Sequence, residues 1–100
     1  MAQPDVRVDP AEVDAAGTAL ERVGADVAAA ARTCGPAITP QPAWSPGFDS
    51  VAACAALADA GLDAVRRLAT DLDVCAAALH ACAAAWAASD DAVARSLRAG

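Results

Sequence analysis

Apolar residues recur every seven positions through two long stretches of this chain. A stripe repeated at that interval must face a partner helix along its whole length. In the first stretch the stripe is Val13, Ala16, Leu20, Val23, Val27, Ala30 and Cys34. In the second, one track runs Val51, Ala58, Val65, Leu72, Leu79, Trp86 and Val93, and another runs Cys54, Gly61, Leu68, Cys75, Cys82, Ser89 and Ser96. No charged side chain falls on either track. Asp59, Asp63, Arg66, Arg67, Asp71 and Asp73 all lie off them, on faces that can stay wet.

Composition agrees with helices and argues against strands. Roughly a third of the residues are alanine, a strong helix former that buries little area. There is one Phe and no Tyr, and β-branched residues are few. Asp9 followed by Pro10, with Glu12 at the third helical position, is a helix start of the capping-box kind. The first helix is expected from about residue 10 to 34. "CGPAITPQPAWSPG" then breaks both helix and strand with four prolines and two glycines, giving a loop over about 35–45. Ser45 and Pro46 repeat the cap-then-proline signal, so the second helix is expected from about 46 to 98, with Gly61 its weak interior point.

The expected fold is therefore all-α: an antiparallel two-helix hairpin forming one domain of residues 1–100. A hairpin alone encloses only one side of each seam, and completion as a four-helix bundle by dimerisation is the natural solution. The lengths disagree, at roughly 36 Å for the first helix and nearly 80 Å for the second. Leu79, Cys82, Trp86 and Val93 are therefore expected on a seam that the first helix does not reach.

Several function classes are disfavoured. The formal charge is -6, with seven arginines and no lysine. No basic stripe exists to follow phosphates, so nucleic acid is not expected as a partner. The uncharged run Val74 to Ser89 is shorter than the roughly 20 residues of a membrane span, so no insertion is expected. "MAQPDVRVDPAEVDA" has neither the basic nor the apolar region of a cleavable signal peptide. No Gly-rich phosphate loop, GxSxG or HExxH occurs, and no enzymatic activity or cofactor is expected.

All four cysteines fall on the expected seam, which favours cysteine as a small buried apolar residue. Cys75 and Cys82, seven apart and about 10.5 Å along one helix, cannot bridge each other. Cys34 and Cys54 flank the loop, and a disulfide between them is geometrically open in an oxidising compartment. His80 lies two positions before Cys82 on another face, so no metal site is expected there, and the histidine is read as solvent-facing.

Two tryptophans remain: Trp44 in "AWSPGF" and Trp86 in "WAASD". With "VDPAEVDAAGTAL" they give a layout that resembles the small WXG-type substrates of the type VII (ESX) secretion system of actinobacteria, in particular its EspC-like branch. The resemblance covers nearly the whole chain. It implies a turn motif at Trp44 and Gly47 and an aromatic-xxx-acid export motif at Trp86 and Asp90, within a C-terminal segment of about 79–100. The turn here has one residue more than WxG, and Trp86 stands where the family has Tyr. The resemblance further implies export of a folded dimer, recognised by the membrane ATPase of the secretion system. The partner would be a second copy, a related hairpin, or the N-terminal helical domain of a larger effector. Such a protein is cytoplasmic before export and then secreted, to the cell envelope or beyond. The reading from another class is a cytoplasmic thiol or copper(I) binding bundle, using inward-facing Cys54, Cys75 and Cys82 from two subunits.

Overall fold

The computed structural model describes residues 7–40 and 49–100. They form two α-helices, α1 (Pro10–Ile38) and α2 (Asp49–Ala99), with no strand among the described residues. α1 starts where the cap signal places it. Asp9 is extended, and its carboxylate accepts the Ala11 backbone N–H at 2.9 Å, while Pro10 occupies a position whose N–H has no intrahelical partner.

The other end of α1 departs from expectation. The helix passes Cys34 and continues through Gly35 and Pro36 to Ile38. Proline this close to a helix end removes one intrahelical hydrogen bond and disturbs only the last turn. Thr39 closes that turn: its backbone N–H and its hydroxyl both donate to the Gly35 carbonyl, at 3.2 Å and 2.8 Å. α2 is unbroken over 51 residues, about 77 Å at 1.5 Å per residue, and matches the 80 Å long axis of the molecule. Gly61 does not interrupt it. The expected helical residues 46–48 lie outside the described residues.

The helices pack antiparallel. Gly17 of α1 lies against His80 of α2, Gly24 against Ala69, Leu72 and Asp73, and Gly35 against Leu62. The buried residues are Gly17, Gly24, Ala31 and Gly35 on α1, and Leu62, Ala69, Ala76 and Ala83 on α2. Three of the former and all of the latter are spaced by seven. Half of the expected register is therefore corrected. Val13, Leu20, Val27, Ala58, Leu72 and Leu79 are half-buried as expected. Their companions in the seam are the 17–24–31 and 62–69–76–83 files, not the 16–23–30 and cysteine-bearing files.

The physical reason is size. The two candidate companion files flank the shared track on opposite sides and both lack charge, so polarity does not choose between them. Glycine and alanine let the backbones approach closely. A Cβ on Gly24 would already stand 3.4 Å from the Ala69 carbonyl oxygen. The result is a slab 14 Å thick, one layer of helices, and among the described residues its core contains nothing larger than Leu62.

Pairing also sets the reach of α1. Gly17 opposite His80 and Gly35 opposite Leu62 give residue numbers adding to 97. Pro10 therefore stands level with about Ala87, and Ile38 with about Asp59. α1 covers the middle of α2. Leu79, expected beyond reach, is half-buried, and Ala83 is buried. α2 runs past α1 at both ends, over residues 49–58 on the loop side and over about Ala87 to Ala99 on the free side, the latter close to 20 Å of helix.

Candidate functional site

Trp86 sits at the margin of the paired region, 47% exposed, and Asp90 one turn further on is exposed. Val93 and Leu97 follow at 58% and 78% exposure. The spacing 86–90–93–97 places all four on one face, so the projecting end carries three apolar side chains with a single carboxylate among them. Ala85, Trp86 and Ser89 form a shallow depression there. This is the pattern by which a helix lays an apolar face into a partner's groove. Leu97 was missed in the sequence because it falls outside both seven-residue tracks. Its spacing from Val93 was the available signal. Trp44 and Gly47, the expected turn motif, lie outside the described residues.

A second apolar surface covers one broad face of the slab. Ala30, Cys34 and Ile38 of α1 and Gly61 and Val65 of α2 line a trough there. It continues along Cys54 and Leu57. Val23 and Leu68, at 48% and 50% exposure, belong to the same files. The cysteine expectation is corrected here: Cys34, Cys54, Cys75 and Cys82 are all exposed free thiols, and no Cys34–Cys54 disulfide is formed. Cys54, Cys75 and Cys82 occupy the flanking file that the glycine–alanine seam leaves outside, while Cys34 ends the Val13–Leu20–Val27 track and is exposed there. Among the described residues no three His, Cys, Asp or Glu side chains gather so as to hold a metal ion.

The opposite broad face is polar, with Arg32, Thr39, Asp59 and Arg66 around a shallow depression. His80 belongs to this side and does not face solvent alone as expected. Its ring lies over Gly17, Nδ1 2.5 Å from Asp14 Oδ1 and Nε2 2.7 Å from Glu21 Oε1. These hydrogen bonds, the one to Asp14 first and then the one to Glu21, raise its pKa above the ordinary 6.5. The legible signal was on α1: Asp14, Gly17 and Glu21 share a face, two acids bracketing a notch.

α2 also contains an 18-residue window of mean hydropathy 1.4, which satisfies by length and composition the requirement for a membrane span. The uncharged run alone is too short to span, but a window of this length tolerates one or two charged residues at its ends. Much of that hydropathy is alanine, each of which contributes little apolar area.

Fold and surface together define an antiparallel helical hairpin with one apolar broad face and a projecting, amphipathic C-terminal helix end. No family model, curated protein or solved structure matches the chain.

Proposed function

We propose that the protein is a non-enzymatic substrate, or targeting partner, of a type VII secretion system, acting as a helical-hairpin dimer whose projecting α2 end is the export signal. The observation that carries this reading is the position of Trp86 and Asp90. They share a helix face at the point where α1 stops covering α2, so an aromatic plate and a charge stand ready for a receptor groove. The apolar broad face, with Val23, Val65 and Leu68 exposed, supports the second half of the reading. Two such slabs stacked on that face make a four-helix bundle. The partner hairpin is a second copy or a related chain, and the receptor of the projecting end is the system's membrane ATPase.

The test is secretion. In a host carrying such a system, Trp86→Ala with Asp90→Ala, or removal of residues 86–100, should abolish appearance in culture filtrate while the cytoplasmic level and helicity hold. Undiminished export of the folded double variant would overturn the proposal.

Three exposed thiols in one file of α2, Cys54, Cys75 and Cys82, favour the second reading, a copper(I)-binding bundle. In a single hairpin they face outward, so only assembly through the apolar face would turn them inward. Anaerobic copper(I) titration separates the readings. Stoichiometric binding lost in Cys75→Ser with Cys82→Ser would favour the metal-binding one.

A further inference from the structure

The two acids on α1 and the single histidine of the chain make an interhelical contact that neither the seam nor the export reading uses. The ring of His80 crosses from α2 and rests over Gly17. A Cβ at Gly17 would stand 2.9 Å from Cε1 and 3.1 Å from each ring nitrogen, so glycine is what makes room for the ring. Asp14 lies one turn before that notch and Glu21 one turn after it. Each presents a carboxylate oxygen to a different nitrogen, at 2.5 Å and 2.7 Å.

A carboxylate only accepts hydrogen bonds, and a neutral imidazole carries one N–H. With the ring neutral, one nitrogen lone pair would point at a carboxylate oxygen. Both contacts are satisfied together only by the imidazolium. The groups facing His80 from α1 are Asp14 and Glu21. On α2 its neighbours one turn away, Ala76, Ala77, Ala83 and Ala84, are uncharged, and the next ionisable group along that face is a further acid, Asp73, opposite Gly24.

We propose that His80, Asp14 and Glu21 form a proton-operated fastener that holds the open end of the hairpin shut while the imidazole is charged and loosens it when the ring loses its proton. The contact lies about seven residues from the start of α1 and six before Trp86. It governs how firmly the first turns of α1 cover Leu79 and Ala83. The direction in pH follows from linkage. The folded pKa of His80 is raised above the unfolded 6.5, so its contribution is complete below pH 6.5 and fades as pH rises through the raised folded value. With the ring 30% exposed and the carboxylates 59% and 53% exposed, salt should weaken the fastener.

Because the chain has one histidine, proton NMR of the wild type follows it without assignment. The titration midpoint should lie above 6.5 in low salt and fall towards 6.5 in Asp14→Asn with Glu21→Gln. A wild-type midpoint at or below 6.5 overturns the proposal. Thermal melts at about pH 6 and about pH 9 give an independent reading. The wild-type midpoint should drop more on raising pH than that of His80→Gln, and an identical drop in both proteins also overturns it.

Discussion

The glycines of the two helices are opposite in kind, and a pair of substitutions exposes the difference. Gly61 lies in mid-helix, and a Cβ there meets nothing within 4 Å. Gly61→Ala should therefore gain the helix-propensity difference and little else, about 1 kcal/mol. For a chain of this size that is roughly 4–8 °C in Tm. Gly24 is also in mid-helix, so leucine there brings a similar propensity gain. Yet its Cβ alone would stand 3.4 Å from the Ala69 carbonyl oxygen and from Leu72 Cβ, and 3.1 Å from Asp73 Oδ1. The remaining three carbons of leucine have no space unless the helices part. Overpacking of this sort costs about 1–3 kcal/mol, and in an alanine seam with no large side chain to repack the upper part of that range applies. The net effect of Gly24→Leu is a loss of about 1–2 kcal/mol, opposite in sign to Gly61→Ala. Circular-dichroism melts of both variants and wild type, at one protein concentration so that association does not confound them, measure the difference. If Gly24→Leu stabilises as much as Gly61→Ala, the helices do not meet through the glycine–alanine file and the register described above is wrong.

Two further outcomes are expected. Leu62 is the largest buried side chain among the described residues, 8% exposed against Gly35, so Leu62→Ala should destabilise by about 2–3 kcal/mol, and Leu57→Ala, at a residue 74% exposed, by far less; equal urea midpoints would refute the assigned core. All four cysteines should react with a thiol reagent in dilute native protein, and Cys75 and Cys82 should become protected at concentrations where size-exclusion chromatography shows association. Protection in the demonstrated monomer would place the thiols in the seam after all.

The two-helix pattern was legible because proline, glycine and cap residues are local signals, and Asp9–Pro10 acts within a single turn. The end of α1 was misread by four residues because the Thr39 hydroxyl and N–H, bonding back to Gly35, keep the last turn closed across a proline that reads as a stop. The seven-residue period was correct, yet its phase was half wrong. Gly17, Gly24, Ala69 and Ala76 score as weakly apolar or neutral, so ranking by hydrophobicity passes over them in favour of Val23, Leu68 and the cysteines. What selects them is closeness of backbone approach, which depends on small size. His80 was misplaced for a related reason: its surroundings were judged along α2, whereas its partners are 66 and 59 residues away on α1. Trp86 and Asp90 were placed on one helix face by spacing alone, and their position at the edge of coverage followed once the pairing level of the helices was known.

A seam built from near-identical small residues at a constant interval behaves as a ruler with unnumbered marks. Sliding α1 by one heptad towards the free end of α2 would bring Gly24 to Ala76 in place of Ala69 and to Leu79 in place of Leu72, so the repeat itself would again oppose similar residues. Only the two ends carry distinguishing notches: Leu62 fits Gly35 at one, and the ring of His80 fits Gly17 at the other. The alignment of the hairpin is thus indexed at its extremities and nearly indifferent between them. The length of helix left projecting past α1 is accordingly a quantity read off two pins, and displacing them would change it in steps of seven residues, about 10.5 Å at a time.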